Sequence, residues 1–251
     1  MKKYPAMHGV SNGNSNFTGK SLWIMFGKNI SEKERKCIAL TGAAAYAVLA
    51  LLYFLLPDFP YKIALPVSVI AVFSLRILPW QISLALLSSA LGDICGASGS
   101  FMGQIEFFAV AHLFLIMFFV ERWFHDLEAF RRAGGRQPET RIGRIVSMAV
   151  FSAAVLAYAV IRIVMEAPAG TVRGCAALYA VIICMMMFCA LVQRSRAYSV
   201  AAILFVFSDA VIGWNAFVAP VPGEKYLIMI PYYLSQLTFF LRAAHLKYSR
   251  E

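Results

Sequence analysis

Eight apolar runs follow one another from Cys37 almost to the C-terminus, each near the length that crosses a bilayer. They cover about residues 37–56, 61–78, 80–97, 103–120, 145–165, 172–192, 199–218 and 226–244. A hydrocarbon core about 30 Å thick needs roughly 20 helical residues, and backbone polar groups inside it must satisfy one another. The runs therefore predict an all-α integral membrane protein, a bundle of about eight transmembrane helices. No residue alternation of a transmembrane barrel is present. The second and third runs are short and meet at Leu78-Pro79-Trp80. Pro66 and Pro231 fall inside runs, where a missing N–H frees a carbonyl and kinks a helix. Composition agrees: 61% of residues are hydrophobic and 14% charged, against about half and about a quarter in a soluble domain.

Three segments follow from this pattern. Residues 1–36 are polar, basic and rich in Gly, Asn and Ser, and they lack the apolar core and cleavage site of a signal peptide. Within them Ser21–Phe26, SLWIMF, reads as an interfacial anchor, and Ser31 with Glu34 has the spacing of a capping box ahead of the first span. Residues 37–245 form the transmembrane domain, and 246–251 a short tail. The formal net charge of +10 is explained by loops. With the N-terminus inside, every Lys and Arg falls on the cytoplasmic side except Lys62, Arg162, Arg173 and Lys225. That asymmetry predicts cytoplasmic N- and C-termini. Charge scattered over several loops, without a binding motif, excludes nucleic acid as a partner. Cys37, Cys95, Cys175, Cys184 and Cys189 follow no metal-ligand spacing and read as small core residues.

Polar side chains inside the runs are the functional candidates. Asp209 stands near the middle of AAILFVFSDAVIGWNAF, where a carboxylate costs roughly 2.5–3.5 kcal/mol even on the gentlest insertion scale. Helical rise and alternating direction put Asp93, His112, Asp209, Tyr232, Tyr233 and Gln236 in one layer, biased to the extracytoplasmic side. A shared pocket is the economical account. Each residue also has a plainer reading. Asp93 can be solvated at the interface, and Glu106 fits an interfacial position better than a catalytic one. His112 can bond a carbonyl, Ser208 can back-bond within its own helix, Tyr232 and Tyr233 can be belt aromatics, and Gln236 can be interhelical glue. Tyr179 fits either kind of role. Gly92 permits a close helix–helix approach.

The same residues carry a resemblance. Gly92-Asp93, Phe108 to His112 (FAVAH), Tyr179, Phe205 with Ser208-Asp209, and Tyr232-Tyr233 with Gln236 occur in this order on matching spans. Over about residues 40–245 the chain resembles the YhhN family of eight-span membrane proteins, which includes the animal lysoplasmalogenases. It departs at Leu115, where many members have Tyr, at Ala201, where Gly is common, and at Pro231. The resemblance implies hydrolysis of the vinyl ether of a lysoplasmalogen to a fatty aldehyde and a glycerophospho-head group. A lysophospholipid substrate and membrane lipids are the partners expected, in a bacterial cytoplasmic (inner) membrane.

The chemistry can be set against the residues. A vinyl ether is cleaved by acid: a proton adds to the β-carbon, water adds to the oxocarbenium ion, and the hemiacetal collapses. That needs a carboxylic acid kept protonated by burial, a group to orient water, and negative charge beside the cation. The catalytic candidates are Asp209 as acid, Asp93 for the cation or water, and His112 as partner or base. Asp93 and Asp209 can exchange these roles. Tyr179, Ser208, Tyr232, Tyr233 and Gln236 are the substrate-binding candidates. No cofactor or metal is expected, and no GxSxG elbow supports an esterase. Two other readings use the same residues: a transporter or proton-coupled carrier, and a metal-dependent hydrolase with Asp93, His112 and Asp209 as ligands.

Overall fold

The structure, a computed structural model, describes residues 30–57, 59, 61–132 and 142–245. The expected anchor at 21–26, the loop 133–141 and the tail 246–251 lie outside them. Eight α-helices are found among the described residues: α1 (Glu32–Leu55), α2 (Leu65–Ile77), α3 (Trp80–Ala97), α4 (Phe101–Arg132), α5 (Ile142–Arg162), α6 (Thr171–Val192), α7 (Arg196–Phe217) and α8 (Glu224–Ala244). A 3-10 turn, Val164–Glu166, follows α5. All except α2 and α3 are long and apolar enough to cross a membrane, which makes the chain a multi-pass membrane protein.

The short member is α2. Its thirteen residues rise about 20 Å, less than a hydrocarbon core of about 30 Å. Both ends have a cause. Residues 61–64 form turns, with Tyr61 at φ 64°, and Tyr233 Oη donates to the Ile63 carbonyl at 2.9 Å. At the other end Leu78 is extended, as the residue before a proline prefers. Pro66 does not kink a span. It stands in the first turn of α2, where its missing N–H has no helical acceptor to lose. Pro231 does lie inside α8.

Other boundaries follow the apolar runs closely, and α3 occupies residues 80–97 as expected. The exception is α4, which continues well past residue 120 to Arg132. The added sequence is charged but helix-favouring, and its charges pair one turn apart: Glu121 with His125 at 3.8 Å, Arg122 with Asp126 at 3.8 Å, Glu128 with Arg132 at 3.4 Å. At the start of α1 the capping box is formed, with Ser31 Oγ accepting from the Glu34 N–H at 3.2 Å and Glu34 Oε2 from the Ser31 N–H at 2.8 Å.

The helices pack in the order α1–α2–α3–α4–α6–α7–α8, and α8 returns to α1, α2 and α3. α5 stands outside this ring, against α6 and the 3-10 turn. Small and aromatic residues set the spacing. A Cβ on Gly92 would lie 2.9 Å from the Phe108 ring, so glycine is what lets α4 press that ring onto α3. All five cysteines are free thiols.

Candidate active site

Two buried carboxylates organise the interior, each held by a tyrosine from a neighbouring helix. On the α6–α7 side, Tyr179 donates a hydrogen bond to Asp209 Oδ2. His112 on α4 brings Nε2 to 3.1 Å from Tyr179 Oη and 3.5 Å from Asp209 Oδ2. The phenol proton is committed to Asp209, so the phenol oxygen is free to accept from an Nε2–H. Asp209 Oδ1 and His112 Nδ1 are buried and have no hydrogen-bond partner among the described residues. Buried polar atoms of this kind are uncommon, and they mark where water or a ligand atom belongs.

On the α3–α8 side, Tyr232 Oη donates to Asp93 Oδ2 at 2.8 Å. Both residues are only 2% exposed. Gln236 lies one turn further along α8, equally buried, with Nε2 unpartnered. Between the two pairs stands an aromatic partition. Phe205 packs edge-on against His112 with centroids 4.5 Å apart, and against Tyr232 at 5.5 Å; Phe108 contacts both Phe205 and Tyr232.

A cavity of about 110 Å³ opens on one pair alone. It lies among α4, α5, α6 and α7, on the half of the bundle where α3 meets α4 and α7 meets α8. Its wall includes Asp209 and Tyr179 with Phe108, Val155, Ile183 and Gly213. The volume suits several waters or a stretch of alkyl chain.

The expected single layer is thus divided. Asp209, Tyr179 and His112 are brought together; Asp93, Tyr232 and Gln236 sit behind the partition and do not line the cavity. Tyr233 turns the other way. Its hydroxyl is spent on Ile63, its carbonyl accepts from Tyr46 Oη at 2.8 Å, and its ring contacts Tyr46, Tyr53 and Phe54 on α1. Ser208, fully buried, does not back-bond within α7. It donates across to the Ile228 carbonyl of α8 at 3.0 Å. Glu106 is exposed. Among the described residues no three His, Cys, Asp or Glu side chains gather at metal-binding distance, so the metal reading has no ligand set there.

Sequence reasoning overlooked two contributors. Gln104 lines the cavity, and its signal was a polar residue at the very start of an apolar run. The wall from α5, Val155 to Ala159, carried no signal, because an apolar residue facing a cavity reads like one facing lipid.

The comparisons with known proteins decide the family. Residues 63–243 match the model of the YhhN family. The chain belongs to the YhhN family. No curated protein and no solved structure matches it. The matched span runs from the turn before α2 to the last turn of α8, so it takes in both YhhN carboxylates and the cavity.

Proposed function

We propose that this YhhN protein hydrolyses the vinyl ether of a single-chain ether lipid, a lysoplasmalogen, with Asp209 as general acid. The observation that carries the reading is the asymmetry of the Asp209 carboxylate. Oδ2 is fixed by Tyr179 and faced by His112, while Oδ1 is unpartnered in a carboxylate that lines an apolar cavity. A proton on Oδ1 breaks none of the existing bonds. The alkenyl chain enters the apolar cavity, and Oδ1–H delivers its proton to the β-carbon. The resulting oxocarbenium ion is steadied by the Asp209 carboxylate and, through the partition, by Asp93. Water adds to the α-carbon and loses a proton to the Asp209–His112 pair. The hemiacetal C–O bond then breaks, releasing the fatty aldehyde and the alcohol of the head group.

The second reading, a proton-coupled carrier, draws on the same Tyr179–Asp209–His112 chain, which can relay a proton between Oδ1 and Nδ1. One experiment separates the two. Purified protein is mixed with a lysoplasmenyl lipid and its saturated-ether analogue, and products are followed by mass spectrometry. Aldehyde from the vinyl ether alone, lost in Asp209→Asn, is the enzymatic result. Lipid bound but unchanged in wild type overturns the hydrolase.

A further inference from the structure

At the opposite end of the bundle a second group of polar side chains remains unexplained. Tyr198, in the first turn of α7, is completely buried, with its ring against Phe118, Phe119 and Phe239. Two guanidinium groups flank that ring. Arg122 on α4 lies 5.8 Å from its centroid, and Arg242 in the last turn of α8 lies 5.7 Å away. Yet Tyr198 Oη and Arg122 Nε are buried without a hydrogen-bond partner among the described residues.

The available counter-charges are weak. Asp126 reaches Arg122 only at 3.8 Å, from a side chain 67% exposed. Arg242 Nε donates to Ser195 Oγ at 3.2 Å, and no carboxylate among the described residues pairs with it. Glu121 is engaged by Gln81 and His125. Cation–π contact accounts for the guanidinium planes but leaves the phenol and Nε unsatisfied. A water molecule would satisfy those atoms but leave Arg242 without a counter-charge among the described residues and Arg122 with only the exposed Asp126. An anion with several acceptor oxygens does both, and guanidinium forks match phosphate oxygens in particular.

We propose that Arg122, Arg242 and Tyr198 form a phosphate-binding site at the α4–α7–α8 end of the bundle. Asp209 stands eleven positions after Tyr198 on α7, about 16 Å along the helix axis. Ala201, Ala202 and Phe205, all fully buried, close the interval. The site is therefore separate from the cavity and does not depend on the hydrolase reading. Its ligand is a phosphate ester, carried either by a lipid head group of the adjacent leaflet or by a soluble molecule.

The test uses the full chain in neutral detergent and in nanodiscs. In detergent, thermal unfolding is compared in inorganic phosphate and in chloride at equal ionic strength. In nanodiscs, native mass spectrometry compares retention of phosphatidylglycerol with that of phosphate-free monogalactosyl diacylglycerol. Wild type is expected to be stabilised by phosphate, to retain phosphatidylglycerol selectively, or both. The first identifies a soluble source and the second a lipid one. Arg122→Gln with Arg242→Gln should weaken either response about tenfold or more, as loss of charge-assisted hydrogen bonds does. Tyr198→Phe keeps the ring packing and should weaken it a few-fold, which guards against a double variant that fails to fold. Wild type that responds to neither probe, or a Tyr198→Phe protein and single Arg→Gln proteins that respond as wild type does, overturns the proposal.

Discussion

The two carboxylate–tyrosine pairs are built from the same chemical types and differ in access. Asp93 and Tyr232 are sealed among α3, α8 and the Phe108–Phe205 partition, and both are 2% exposed. Asp209 and Tyr179 line a cavity, with His112 behind them and one carboxylate oxygen unspent. A buried acid that does not reach the cavity is part of the scaffold's polar framework. One that lines an apolar hollow and keeps an unpartnered oxygen can exchange a proton with something that enters. This contrast is why the proposed hydrolysis gives proton transfer to Asp209 and leaves Asp93 an electrostatic influence at a distance.

The largest expected effect tests that assignment directly. Asp209→Asn keeps an oxygen for Tyr179 to bond but removes the transferable proton, so aldehyde release should fall roughly 10²–10⁴-fold, the range of general acid catalysis. Detergent-solution unfolding should stay near that of wild type. Should the purified variant turn over a lysoplasmenyl lipid at a comparable rate, Asp209 is structural.

Tyr179→Phe comes next. It takes away the donor to Asp209 Oδ2 and the oxygen opposite His112 Nε2 together. Leaving buried partners unsatisfied costs about 1–3 kcal/mol, read as a lower unfolding midpoint. Activity should drop about tenfold or more. Tyr232→Phe should cost similar stability through Asp93 with a smaller loss of rate. Equal rate losses in the two variants would erase the distinction between the pairs.

Asp93→Asn sharpens the comparison from the sealed side. A group touching the developing charge is worth roughly 10²–10³ in rate; Asp93 acts through the partition, so a loss of about tenfold is expected. A drop as deep as that of Asp209→Asn would show that Phe108 and Phe205 move aside during turnover and that Asp93 meets the substrate.

Much of this was readable in the chain. The apolar runs located eight helices because a bilayer leaves a chain without barrel alternation no other way to satisfy its backbone, and the mid-run acid singled out Asp209 because the membrane penalises it. What failed to read out was azimuth. Depth along a helix follows from counting residues, but the direction a side chain faces depends on which helices are neighbours. Tyr232 and Tyr233 are adjacent in sequence and stand about 100° apart on α8, so one meets Asp93 and the other meets α1. The Phe108–Phe205 partition was hidden for the same reason. The extension of α4 was missed because hydropathy marks where a helix is apolar, not where it ends; the one-turn charge pairs beyond residue 120 carry it onward.

The smallest expected effect falls on Ser208, which sits one residue from Asp209 yet faces away from the cavity. Its hydroxyl donates to the Ile228 carbonyl, next to Leu227, whose carbonyl loses its helical donor to Pro231. The bond therefore ties α7 to α8 where α8 is locally weakened. Interhelical hydrogen bonds in membranes average only about 0.6 kcal/mol, and Ile228 keeps its own helical donor from Tyr232. Ser208→Ala should lower the unfolding midpoint slightly and leave aldehyde release within about threefold of wild type, the rate equivalent of an energy of about 0.6 kcal/mol. Kinetics on the purified variant settle the matter, because proximity in sequence and proximity to the substrate make opposite demands. If Ser208 bound the substrate, KM would rise well beyond that margin while stability held. If it is the tie described here, whatever small change occurs will appear in stability first.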